Sequence, residues 1–206
     1  MKIAVLGSTG KTGRLLVSEA LRQGHDVVAI ARTPAKLVDL EHERLTVIAA
    51  DVFAPAGFAA ATQDAGALVS ALGTARGGDV TTLTAGADAV AALRLPKVVW
   101  LGSLGLGATG GSAGPLFTPL FNLVLRKEIP AKTAAENTIR AAGGTVVHAP
   151  ILGGNEPKGT FELVPAATYR PPLMFPTITR ADVAALMIEE AAKSRFGNET
   201  AVFARR

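Results

Sequence analysis

Short runs of apolar and β-branched residues recur at positions 3–6, 27–30, 46–49, 67–71, 98–101 and 145–149, each too brief for a helix. They predict six strands. Between them, residues 11–23, 35–41, 80–93 and 131–142 carry helical spacing, and Thr33-Pro34 supplies a cap and first-turn signal for the second of these. The strands lack polar alternation, so both faces of their sheet should be covered. Strands alternating with helices predict an α/β fold, a doubly wound and mostly parallel sheet with helices on both faces.

Beyond the sixth strand the pattern changes. Residues 153–178 are rich in Pro and Gly and read as a loop-rich segment outside the core, on the substrate side, with room for one short strand at 160–164. A final helix should start at Thr179, with Asp182 completing a capping box and Val183, Leu186 and Met187 facing inward. Residues 200–203 would then close the sheet as an edge strand. A chain of 206 residues fits one such domain, 1–206, and leaves no room for a separate substrate domain of ordinary size.

Composition narrows the class. With 49% hydrophobic and 18% charged residues the chain can bury a full core, which excludes a disordered or fibrous protein. There is no cysteine, hence no disulfide, thiolate metal site or thiol nucleophile, as suits a reducing cytoplasm. His25, His42 and His148 are too scattered for a metal site. No run of about 18 apolar residues reads as a membrane span, and the apolar stretch after Lys2 is too short for an export signal. The net charge of +4 comes from scattered cations, which speaks against nucleic acid and leaves some of them free for a phosphorylated cofactor.

The first strand runs straight into Gly7-Ser8-Thr9-Gly10-Lys11-Thr12-Gly13 and then into a helix. In that setting Gly7 permits a tight turn, Gly10 lets backbone amides approach a pyrophosphate, and Gly13 lets the helix pack on the strand. The helix N-terminus adds unpaired N–H groups and partial positive charge. Gly10-Lys11-Thr12 also matches the end of a nucleotide-triphosphatase P-loop, but that motif needs glycine where Val5 stands inside the strand. After the second strand, where an NAD-preferring domain places an acid on the ribose, the chain has Arg32, with Lys36 one turn on. Two cations there suit a 2′-phosphate, so the expected cofactor is NADP(H).

These residues, with Asp51-Val52, Leu72-Gly73, the Lys97–Ser103 stretch and the Thr179-Arg180-Ala181-Asp182 helix start, resemble the atypical short-chain dehydrogenase/reductases. The likeness is to the NAD(P)H-binding branch that holds biliverdin reductase B-type flavin reductases and nitrogen-metabolite-regulator-like proteins. It implies that Asp51 and Val52 flank the adenine, that Leu72 and Gly73 pass beside phosphate and ribose, and that Pro150 and Ile151 lie on the cofactor side. It also implies that Ser103 sits near the nicotinamide and that Lys132 reaches the cofactor ribose, unless Lys132 simply pairs with Glu136. The Tyr-x-x-x-Lys pair of alcohol-oxidising relatives is missing, its register reading Glu128-Ile129-Pro130-Ala131-Lys132. The one tyrosine, Tyr169, lies far along the chain, Glu128 reads as a surface residue, and His148 reads as a packed one.

The expected function is therefore an NADPH-dependent reductase, an oxidoreductase by resemblance, with Ser103 and Lys132 as catalytic candidates. Its partner would be a small-molecule electron acceptor that is flat and easily reduced, of the flavin, quinone or tetrapyrrole class, needing little acid–base help. Phe161, Tyr169, Met174 and Phe175 would wall the pocket and the 102–114 loop would close it. A non-catalytic NADP(H)-sensing regulator is the alternative. A nucleotide-sugar isomerase is weaker, because such relatives are longer and keep the tyrosine. Monomer and homodimer both remain open.

Overall fold

The computed structural model describes residues 1–74, 78–112, 126–172 and 176–206. Its main sheet contains eight strands in the order β3-β2-β1-β4-β5-β6-β10-β8. These are β1 (Lys2–Leu6), β2 (Asp26–Ala31), β3 (Leu45–Ala49), β4 (Ala67–Ser70), β5 (Val98–Ser103), β6 (Thr145–Ala149), β8 (Phe161–Pro165) and β10 (Thr200–Arg205). All neighbours pair in parallel except β10 with β8. The fold is thus Rossmann-like and doubly wound.

Helices α1 (Lys11–Arg22) and α5 (Arg180–Lys193) cover one face, packing Leu16, Val17, Val183 and Met187 on Ile3, Val5 and Ala29. Helices α2 (Pro55–Thr62), α3 (Thr81–Ala92) and α4 (Ile129–Ala141) cover the other, packing Phe58, Leu83, Val90 and Ile139 on Ala4, Leu6 and Trp100. Successive residues of β1 thus feed opposite cores, which is why the strand sequence shows no polar alternation.

The structure corrects several expectations. Residues 200–203 do not form an edge, because β10 lies between β6 and β8 with Ala201, Val202 and Phe203 fully buried. The edge is β8, so the 153–178 segment is not merely peripheral: antiparallel pairing turns Phe161 and Leu163 into the core and Glu162 outward. The helix expected at 35–41 is a single 3-10 turn, Pro34–Leu37, since only Leu37 turns inward and Val38 stands exposed. Finally, α2 went unpredicted because Pro55–Thr62 has almost no polar face; the helix buries Phe58 and Thr62.

The last helix starts as expected at Thr179, whose hydroxyl accepts from Asp182 N–H at 3.1 Å. The Asp182 carboxylate does not complete a box; it accepts instead from the amides of Lys158 (3.0 Å) and Gly159 (2.9 Å), pinning the segment before β8. A short parallel pair, β7 (Ile151–Leu152) with β9 (Thr177–Ile178), ties the other end of that segment to β6. Because Phe203 is fully buried inside the sheet, Phe203→Ala should cost about 3–5 kcal/mol in urea unfolding. A loss under about 1 kcal/mol would mean that β10 does not pack as an interior strand.

Candidate functional site

The strand order reverses between β1 and β4, and parallel sheets open a crevice at such a point beyond the carboxyl ends of the strands. A groove of about 640 Å³ lies there, lined by Gly7, Thr9, Gly10 and Lys11 on one side and Ala71, Leu72 and Gly73 on the other. Arg32, Asp51, Val52 and Thr82 line its far end.

Three glycines shape the turn. Gly7 has φ +76°, and a Cβ on it would come within 2.8 Å of the Ala71 carbonyl oxygen. A Cβ on Gly13 would lie 2.0 Å from the Gly7 carbonyl oxygen, so helix α1 can start here only because residue 13 has no side chain. Gly10, at φ −76° and ψ 164°, is in a conformation open to any residue, with a Cβ 3.3 Å from the Gly7 carbonyl oxygen. No side chain caps α1, so its N-terminal amides face the groove without a capping side chain.

Ser8 serves the fold, not the groove: it is fully buried and its hydroxyl donates to the Ile30 carbonyl at 2.7 Å, joining the turn to β2. Lys36 is absent from the groove lining. Its carbonyl accepts from Arg14 at 2.7 Å, and the same guanidinium pairs with Asp39, whose carboxyl it holds below the ordinary range. Lys11 lines the groove together with Arg32.

The groove continues into a second cavity of about 220 Å³, the two sharing Ala71, Leu72, Gly73 and Thr74 as lining. Thr12, Ser103 and Pro150 also line this cavity, as do three residues of one face of α4 and its cap, Glu128, Lys132 and Glu136. Lys132 Nζ lies 3.1 Å from Glu128 Oε2 and 3.5 Å from Ser103 Oγ. Glu128 is thus part of the cavity wall, against the expectation of a plain surface residue, and it takes Lys132 as its partner in place of Glu136. Glu136 instead meets His148, Oε2 to Nε2 at 3.0 Å, and His148 Nδ1 lies 2.7 Å from Thr109 Oγ1.

Other expected wall residues lie elsewhere. Strand alternation turns Pro150 and Leu152 to the cavity and leaves Ile151 half exposed on the opposite side. Phe161 packs in the main core, and Tyr169 joins Leu104 and Val202 in a small cluster. Tyr169 lines neither the groove nor the second cavity, and burial raises its phenol above the ordinary range. Met174, Phe175 and residues 113–114 of the expected closing loop lie outside the described residues. The cavity takes its apolar lining from Leu83, Trp100, Leu101 and Leu152. Among the described residues no cluster suits a metal ion, and no helix is long and apolar enough to cross a membrane.

Residues 7–194 match the model of the NAD(P)H-binding family, and the chain belongs to that family. It is 28% identical over 130 residues to the photosystem II assembly factor Ycf39 of Synechocystis, an alignment covering 63% of this chain and 36% of that protein. The chain spans half or less of the length of the curated relatives it matches. Its fold is that of the oxidoreductase ylbE of Lactococcus lactis, with TM-score 0.81 at 17% identity over 100% of this chain and 91% of the other. It is equally that of ChuY, an anaerobillin reductase from Escherichia coli O157:H7, with TM-score 0.80 at 20% identity over 100% and 97%.

The groove fits the family's ligand. The uncapped start of α1 and the close approach permitted at Gly10 together suit a dinucleotide pyrophosphate, and Lys11 and Arg32 add positive charge to the groove. Because residue 10 has unstrained backbone angles, Gly10→Val should leave the thermal midpoint within a few degrees while removing NAD(P)H binding in calorimetric titration. Binding at wild-type affinity would place the pyrophosphate elsewhere.

Proposed function

We propose that this protein is an NADPH-dependent reductase whose cofactor lies along the groove and whose acceptor enters the second cavity. The observation that carries this reading is the continuity of the two spaces at residues 71–74: a dinucleotide held at the α1 N-terminus can extend past Leu72 and Gly73 to Ser103 and Lys132. The bound nicotinamide would supply a hydride. Ser103, at the carboxyl end of central strand β5, offers a hydroxyl to the carboxamide or to the acceptor. Lys132 holds a positive charge beside that hydroxyl and is itself held by Glu128.

The preference for NADPH rests on Arg32 and Lys11. No acid follows β2 in the groove before Asp51, and a guanidinium can hold two phosphate oxygens in one plane. The acceptor is of the flat, readily reduced kind: flavin, quinone or tetrapyrrole. The fold shared with an anaerobillin reductase supports that class, and the walls of Trp100, Leu101 and Leu152 suit a planar apolar body.

Charge-assisted bonds to phosphate contribute about 1.5–3 kcal/mol each, so Arg32→Ala should weaken NADPH about tenfold to a hundredfold and leave NADH nearly unchanged. Lys11→Ala should act in the same direction with a smaller effect that fades at high salt. Equal losses for the two cofactors would remove the NADP assignment. For the chemistry, Ser103→Ala should keep NADPH affinity within a few-fold and lower turnover by about 1–2 kcal/mol, followed as NADPH absorbance against a panel of flavins and quinones. NADPH binding with no turnover of any acceptor would make the protein a cofactor sensor.

A further inference from the structure

The cavity wall carries a carboxylate that the proposed chemistry does not use. Glu136 lines the cavity one helical turn from Lys132 and is only 2% exposed. Its Oε2 is held inside the protein, by His148 Nε2 at 3.0 Å. Among the described residues no donor reaches Oε1, and the buried side-chain atoms left without a partner are Arg140 Nε and Tyr169 Oη, so Oε1 opens on the cavity. Two glycines make room for the carboxylate. A Cβ on Gly102, the residue just before Ser103, would lie 2.6 Å from Oε1, and one on Gly107 would lie 3.3 Å from Oε2.

The role of Oε1 is set from behind. Thr109 Oγ1 lies 2.7 Å from His148 Nδ1 and 3.1 Å from the Leu106 carbonyl oxygen, and the shorter contact takes the hydroxyl hydrogen to Nδ1. The ring hydrogen then sits on Nε2 and donates to Oε2. Oε1 is left as an acceptor too little exposed for bulk water to satisfy, so its partner must come from whatever fills the cavity. On the same wall Lys132 Nζ and Ser103 Oγ, 3.5 Å apart, offer donors. A ligand between the apolar walls therefore meets donors at one place and an acceptor at another.

We infer that Glu136 is a specificity-determining residue that accepts a hydrogen bond from a ring N–H of the electron acceptor. The site then selects a conjugated ring in which N–H stands beside a carbonyl, a cyclic imide or lactam, over a quinone. This rests on the reductase reading above and narrows it. The ligand carbonyl accepts from Ser103 or Lys132, and the neighbouring N–H donates to Glu136 Oε1. A quinone offers carbonyls to the donors but leaves Oε1 against a C–H edge, and a buried acceptor left unpaired costs more than its hydrogen bond contributes. A polar group that the wrong ligand leaves unpaired discriminates more sharply than apolar walls do.

The probes are lumiflavin, whose ring N3–H lies between two carbonyls, and its N3-methyl derivative, which keeps the reducible ring and loses the N–H. In the wild type, lumiflavin should bind the NADP⁺ complex about tenfold to a hundredfold more tightly than the methyl derivative, read by flavin fluorescence, and kcat/KM with NADPH should differ by the same factor. Glu136→Gln keeps the shape of the side chain, but its amide oxygen must accept from His148 Nε2, which turns the amide N–H groups to the cavity. Its KM for lumiflavin should rise about tenfold or more with kcat and NADPH affinity nearly unchanged, and its preference over the methyl derivative should fall below about threefold. Equal binding of the two flavins to the wild type, or binding of neither, would overturn the inference. So would a preference that Glu136→Gln leaves intact, since the methyl group would then merely clash, or a loss confined to NADPH affinity, since the acid would then serve the cofactor. The wild-type comparison holds whether or not the variant folds. If lumiflavin binds with the stated preference but takes no hydride, the reductase reading alone has failed.

Discussion

The contact on which the ligand end of this molecule depends is that between residue 13 and the Gly7 carbonyl. Helix α1 begins so close to the turn that a methyl group at 13 would overlap that oxygen, and the closeness aims the uncapped helix amides into the crevice between β1 and β4. The Gly7 turn is pressed in turn against the backbone of Ala71, so β1 and β4 share one rim. From this follow the groove, its continuation along residues 71–74, and the approach to Ser103 at the end of β5. The Ser8 hydroxyl extends the same constraint to β2 through Ile30, so Arg32 emerges two residues later at the groove's far end.

A second constraint acts on the opposite wall. One face of α4 must both seal the core through Ala135 and Ile139 and present polar groups to the cavity. The helix meets both demands by its period: Glu128, Lys132 and Glu136 fall in one row, while Ala135 and Ile139 fall in the neighbouring one. Depth then separates the row chemically. Glu128 and Lys132 are partly solvated and neutralise each other across one turn, whereas Glu136 is too deep for water and must find a partner inside, which β6 supplies as His148.

The glycine turn, the parallel sheet and the cap at Thr179 were legible in the sequence because each is set by neighbours a few residues apart. The roles of Glu128 and Glu136 were not. A carboxylate at the start of a helix reads as surface, and one four residues after a lysine reads as that lysine's partner; only the packing of α4 against β5 and β6 shows which acid faces water and which faces His148. Thr109 gave no signal either, since it meets His148 across 39 residues of chain. Lys36 was placed by spacing alone: its stretch closes as one 3-10 turn whose Lys36 carbonyl is held by Arg14, while Lys11 and Arg32 are the cations that line the groove.

What the sequence by itself determined, then, was the alternation of strands and helices, the position of the phosphate-binding turn and the absence of a Tyr-x-x-x-Lys pair. Those are local properties: hydrophobic period, backbone freedom at glycine, and residue identity. Tertiary structure alone decided that β10 is interior and β8 the edge, that α2 is a helix, and that the polar row of α4 divides into a partly solvated ion pair and a buried acid facing His148. In each of these cases the deciding energy is burial against residues distant in the chain, and no spacing along the sequence carries that information.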